Sequence, residues 1–155
     1  MVNGKVIEDI EYLPRIGFEF KVPKKNNKFK YFGMGPEENY CDLKWHAMIG
    51  LYESRAEDEY VNYVMPQEHG NHTGTKYLIF DDGLDFYADS EFEFKVSEYS
   101  LEAVQKARHT DELSKDEFVN VRIDYKMSGS GSKAVNLLRK YQVNDKEFTF
   151  KFSIK

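Results

Sequence analysis

The residues best equipped for chemistry gather in the run YVNYVMPQEHGNHTGTKYL, residues 60–78. Gln67, Glu68, His69 and His72 lie within one short stretch. A Glu–His–His set could ligate a metal ion, and a Glu with a His could act as acid and base on a sugar. The spacing fits no zinc signature, so no metal site is expected. Polar loops flanked by aromatic residues also hold carbohydrate, through hydrogen bonds and stacking. Asn71-His72-Thr73 matches a glycosylation acceptor, a modification that requires secretion.

A second concentration is YFGMGPEENY, residues 31–40. A dinucleotide-phosphate loop needs G-x-G-x-x-G opening a helix. Here Gly33 and Gly35 are followed by Pro36, which has no N–H to offer, and Glu38 stands at the third glycine position. Glu37 and Glu38 are adjacent, so on a strand their carboxyls diverge rather than face one scissile bond. The expectation is a tight turn over Gly33–Pro36 with the acids in solvent. Cys41 and His46 could form a thiol–imidazole pair, but an inert, half-buried thiol is the simpler reading. Asp81, Asp82 and Asp85 lack the spacing of a calcium loop and read as a hairpin turn.

The elements that must carry these residues alternate with period two. In RIGFEFKV, Ile16, Phe18, Phe20 and Val22 share one face. KFKYF follows a polar turn. TKYLIF, the DDG turn at 81–83 and LDFYA form a hairpin pattern. EFEFKVSEY places Phe92, Phe94 and Val96 together. FVNVRIDYKM aligns Val119, Val121, Ile123, Tyr125 and Met127, and EFTFKFSIK aligns Phe148, Phe150, Phe152 and Ile154. The fold class is therefore mainly all-β and antiparallel. One helix is expected over LEAVQKARH, 101–109, capped by Ser100. AVNLLRKY, 134–141, reads as a short helix or an irregular link, and SGSGS, 128–132, as a loop.

Composition supports a packed core: 155 residues, 12 Phe and 11 Tyr. A net charge of −5 argues against nucleic acid or an anionic membrane as partner. With one cysteine, neither an internal disulfide nor a thiolate cluster can form. No stretch approaches the length of a membrane-spanning helix, and MVNGKVIEDI has no signal-peptide pattern, so a cytoplasmic location is expected.

Three ordered motifs together resemble a known family. YFGMGPEENYCD resembles the GxGPxENYxD motif in the C-terminal domain of family-two β-galactosidases, and YVMPQEHGNHTGTKYL is similar to that family's YVxPQExGNRxxxRxL. KVSEYSLEAVQKARHTDEL is similar to its xxSxYSxxxLxxAxHxxEL, and VNVRIDYKM with SGSGS resembles the stretch before its glycine-rich loop. The resemblance implies a galactose-mutarotase-like antiparallel supersandwich, present in part, with residues 1–155 as one domain from its C-terminal portion. It implies that Gly33, Gly35, Pro36, Glu38, Asn39, Tyr40 and Asp42 are structural. Tyr63, Pro66, Gln67, Glu68, Gly70 and Asn71 are structural on the same ground. Glu68, His69, His72 and Trp45 are the candidates to face a sugar. Ser128, Gly129, Ser130, Gly131 and Ser132 would form a loop at an active-site rim. The family's catalytic carboxylates lie in a separate β/α barrel, so no catalytic residue and no cofactor is expected in this chain. Its expected partners are the remaining domains or a large chain of a β-galactosidase, with carbohydrate and a second copy as further candidates. An independent carbohydrate-binding module and a mutarotase-type enzyme are the alternative functions. The sequence departs from the family at Ala134 or Val135, where a sugar-stacking tryptophan is common. It departs again at Leu43 and His72, where arginines are common. Loss of a flat aromatic removes a stacking face worth ~0.5–1.5 kcal/mol.

Overall fold

A computed structural model describes residues 1–130 and 136–155. The described residues form two antiparallel sheets. The main one has the strand order β2-β7-β6-β5-β3-β4, with β9 joined to β6 as well. Here β2 is Arg15–Pro23, β3 Lys28–Gly35, β4 Met48–Arg55, β5 Asn71–Phe80, β6 Asp85–Ser97, β7 Phe118–Met127 and β9 Phe152–Ile154. A separate two-stranded ribbon pairs β1, Val2–Lys5, with β8, Glu147–Phe150. The mainly all-β, antiparallel class expected from the alternation is what the chain adopts.

The period-two pattern turns one face of the sheet into a dry aromatic core. Phe29 and Tyr31 of β3, Leu78 and Phe80 of β5, and Phe86, Phe92, Phe94 and Val96 of β6 are all buried there. Val119, Val121 and Ile123 of β7, Phe150 of β8, Val22 of β2 and Ala56 complete it. Phe94 meets Phe29 edge-on at 5.9 Å and Tyr31 at 4.9 Å. Each such phenylalanine contributes about 1.5–3 kcal/mol through burial.

Several boundaries differ from expectation for identifiable reasons. The two segments around residues 85–97 are one long strand, which pairs β9 through Phe86–Ala88 and β7 through Glu93–Ser97. The final run breaks at Lys151 into β8 and β9, and Ile154 is exposed. Met127 is buried apart from the aromatic core, its sulfur 3.6 Å from Arg122. The helix α1 covers only Leu101–Lys106. Ser100 caps it by accepting from the Ala103 N–H, but Ala107 is already extended, and a short 3-10 turn, Thr110–Glu112, follows. In the 134–141 segment a 3-10 turn spans Arg139–Tyr141, while Ala134 and Val135 lie outside the described residues. The hairpin at DDG forms as read, with Gly83 at φ +81° donating its N–H to the Phe80 carbonyl. No helix among the described residues is long and apolar enough to cross a membrane.

The polar alternates of β6 and β7 are not in solvent. Lys95, Ser97, Asn120, Arg122 and Asp124 are buried on the second face of the sheet. The long connection between β4 and β5 brings the Glu68 carboxylate to this charged layer.

Candidate functional site

The GPEENY motif does not form a tight turn at its glycines. β3 continues through Gly35, and the chain bends only at Pro36, after a cis peptide bond. The glycines are required by crowding. A Cβ on Gly33 would sit 2.7 Å from the Thr75 hydroxyl, and one on Gly35 would sit 2.2 Å from the Tyr31 hydroxyl.

Glu37 is exposed, but Glu38 is not the solvated acid expected. Its Oε2 accepts from the Gly70 N–H at 2.7 Å and from the Tyr40 hydroxyl at 3.1 Å, and its Oε1 accepts from the Tyr63 hydroxyl. Asn39 is fully buried beside it. Its Nδ2 donates to the Met34 and Glu37 carbonyls, and its Oδ1 accepts from the Thr73 N–H at 2.8 Å and hydroxyl at 2.7 Å. Asn71 closes the link, donating from Nδ2 to the Asn39 carbonyl and to Glu93. Two motifs that are separate in sequence thus form one hydrogen-bonded unit, in which the Glu38 carboxylate and the whole Asn39 amide find partners while Asn71 Oδ1 has none among the described residues.

Glu68 faces a cluster of cations. It accepts from Arg15 Nη2 at 2.6 Å, Lys95 Nζ at 3.1 Å and Arg122 Nη2 at 3.2 Å. Burial works against its charge, but Lys95 and Arg15 outweigh that and hold the carboxyl below its ordinary range. Two further acids, which the sequence did not single out, stand behind it. Glu93 and Asp124 are cross-strand neighbours on β6 and β7. Burial pushes Glu93 up to about 7, against the hydrogen bonds from Asn71 and the Met127 N–H. Burial pushes Asp124 up to about 8, against the pull of Arg15. Asp124 is sealed from solvent, its Oδ2 2.7 Å from Arg122 Nε. Glu93 lines a cleft of about 270 Å³ with Met34, Cys41, Lys44, Thr73 and Tyr125.

The histidines do not converge with Glu68 on a sugar-sized site. His72 is fully buried, its Nε2 2.7 Å from Glu59 and its Nδ1 3.1 Å from the Tyr31 hydroxyl. The remaining oxygen of Glu59 accepts from the Ser54 hydroxyl. His69 is 2 % exposed, its Nδ1 at the Gln67 carbonyl and its ring edge-on to Tyr60. The expectation that His69 and His72 face a sugar therefore needs correction: the β4–β5 connection folds back over both rings. The same burial removes the geometric basis for mutarotase-type acid–base chemistry by Glu68, His69 and His72. Trp45 is fully exposed. Cys41 and His46 do not pair: the thiol points to the Met127 and Tyr141 carbonyls and is pushed up to about 11 by burial, while His46 bonds the Glu38 carbonyl.

The end of the first motif grips the start of the serine–glycine loop. Asp42 accepts from the Ser130 N–H at 2.8 Å and the Ser130 hydroxyl at 3.3 Å. Gly129 lies so close that a Cβ would stand 2.4 Å from the Asp42 carboxyl carbon, and its N–H donates to the Tyr141 carbonyl. Ser128 donates to the Leu13 and Pro14 carbonyls and accepts from the Val143 N–H. Gly131 and Ser132 lie outside the described residues.

Comparison with known proteins identifies the family. The model of the family described as Beta galactosidase small chain matches residues 1–154. The chain is 36% identical over 155 residues to a beta-galactosidase of Actinobacillus pleuropneumoniae, covering 99% of this chain and 15% of that protein. It is 35% identical over 149 residues to one of Kluyveromyces lactis, covering 91% and 14%, and 30% identical over 149 residues to one of Staphylococcus xylosus, covering 93% and 15%. The chain thus spans about 15% of the length of these curated relatives. By its match along nearly the whole sequence, the chain belongs to the beta-galactosidase small chain family.

Proposed function

We propose that this chain is a non-catalytic C-terminal domain of a β-galactosidase, an enzyme that hydrolyses terminal β-D-galactosides in a separate barrel. Its part is to hold the segment entered at Ser128 in place at the edge of that barrel and to join the remaining domains or large chain. The observation that carries this reading is the grip of Asp42 on Gly129 and Ser130. It converts the rigid strand-end motif into a fixed starting point for a loop, as positioning of groups around a site demands. The matching relatives, in which this segment is a small share of a longer protein, support the same reading.

The test is to combine the chain with the rest of the enzyme, produced without this segment, and follow hydrolysis of a chromogenic β-galactoside. Turnover should need both parts. Activity of the chain alone that is lost on mutating its own acids would refute the proposal, as would full activity of the remainder without it.

Trp45 supports a second reading. Its ring is open on all sides, as a platform for a sugar would be. Titrating galactose and lactose by calorimetry decides it, since a carbohydrate-binding module would give saturable heat that Trp45→Ala abolishes.

A further inference from the structure

We propose that the outer face of β3, β4 and β5, together with the open edge of β4, is the surface on which a β-layer from the remaining part of the β-galactosidase packs. The proposal rests on the reading of the chain as one domain of that enzyme and names the surface it uses.

The register places a continuous apolar row across this face. Leu51 of β4 stands opposite Phe32 of β3, Phe32 opposite Tyr77 of β5, and Tyr77 opposite Tyr87 of β6. Phe32 and Tyr77 stack at 6.0 Å, and Tyr77 meets Tyr87 at 6.2 Å. Ile49 continues the patch along β4. Leu51 is 62% exposed, Ile49 65% and Phe32 37%, so much of this area is still in water. On the next row Lys30 and Glu53 pair at 2.9 Å. An apolar centre beside a charged rim is the anatomy of an interface rather than of a solvated sheet face.

The two edges of the sheet are treated differently. At β2 the chain has a register shift at Ile16/Gly17 and Pro23 at its end. These features discourage strand addition. At β4 the ladder with β3 runs unbroken from Lys28↔Arg55 to Gly35↔Met48, with no proline, and among the described residues no strand lies on the far side of β4. An eight-residue edge next to an exposed apolar face is a template for further sheet. The occupant is the remainder of the enzyme because the matched relatives carry this segment as about 15% of one polypeptide. Tethering gives a neighbouring layer a high effective concentration that a second copy lacks.

The experiment measures binding of the full chain to the rest of the enzyme, with wild type and Leu51→Lys, and hydrogen exchange of the β4 amides in both states. Leu51 is exposed, so the variant should melt like wild type. Support would be a dissociation constant raised at least about 30-fold by Leu51→Lys, with β4 amides protected only in the complex. Equal binding by the variant, with β4 exchange unchanged on assembly, overturns the docking face and leaves the function standing. A homodimer that Leu51→Lys breaks while assembly is unaffected overturns the choice of occupant. No binding and no gain of activity with wild type overturns the function itself, and the docking face with it.

Discussion

Glu93→Gln should remove a pH-dependent part of the stability and leave the fold in place. Glu93 takes two hydrogen bonds, both from neutral donors, Asn71 Nδ2 at 2.9 Å and the Met127 N–H at 3.2 Å. Burial is the larger influence and carries the carboxyl from its ordinary 4.5 up to about 7. A folded-state value above the unfolded one means that folding favours the protonated acid. The stabilisation is complete below about pH 4.5 and is lost as pH rises through about 7. The difference corresponds to about 3 kcal/mol, falling by about 1.4 kcal/mol per pH unit where only the folded state holds the proton. Glutamine keeps the shape but sets an amide against one of the two donors, a fixed cost of about 1–3 kcal/mol.

Urea unfolding at about pH 5, 6, 7 and 8 separates these contributions. The variant should be the less stable protein at about pH 5. Wild type should then lose about 3 kcal/mol relative to it by about pH 8, a change of about 1–2 M in midpoint, so the curves converge or cross. Parallel curves for the two proteins would show that Glu93 does not carry the proton on folding, and the reasoning from its burial would fail.

Four further substitutions test the rest of the framework. Glu68→Ala leaves Arg15, Lys95 and Arg122 without their shared carboxylate and should cost about 3 kcal/mol, the lower end for a buried pair because Glu68 is partly open. Glu68 is held below its ordinary value, so its stabilisation must fade as pH falls below about 4.5, the opposite sign to Glu93; a flat acid limb in urea titrations would contradict this. Asn39→Asp sets a carboxylate oxygen against the Met34 and Glu37 carbonyls and should cost about 2–4 kcal/mol by the same assay. Gly17→Ala would drive a Cβ to 2.6 Å from the Ile123 carbonyl oxygen, opposite Asp124 at the β2 register shift, and thermal melting should show a loss of about 1–3 kcal/mol. Ser100→Ala should cost only about 1 kcal/mol, since it removes one cap from a six-residue helix.

The dry face of the sheet was legible because its cause is local. Phe92, Phe94 and Val96 alternate within five residues, and nothing distant is needed to place them. β4 was not legible, because Met48, Ile49, Leu51 and Tyr52 put apolar groups on both parities and erase the alternation. Met48, Ile49 and Leu51 are exposed while Tyr52 packs against the core, which a one-faced pattern does not allow for. The burial of Lys95, Arg122 and Asp124 depends on a loop that returns with Glu68, 54 residues from Arg122 in sequence. Likewise Glu59 reaches His72, and Asp42 reaches Ser130 across 88 residues. The motifs pointed to these side chains as a group, but their pairing was decided by tertiary contacts that sequence spacing does not encode.

The same pairings argue about where function can reside. A catalytic carboxylate needs an open approach and unoccupied hydrogen-bonding capacity. Glu38 accepts from three donors, Glu68 from three cations, and His72 is sealed between Glu59 and Tyr31. These groups fix the backbone around them, and a substrate entering there would have to displace partners at a cost of about 1–3 kcal/mol for each buried bond left unmade. Exposed apolar surface is instead concentrated at Trp45 and along Ile49, Leu51 and Phe32. Acids and imidazoles held by internal partners, with apolar side chains presented outward, support the proposal that this chain's part is in assembly and positioning.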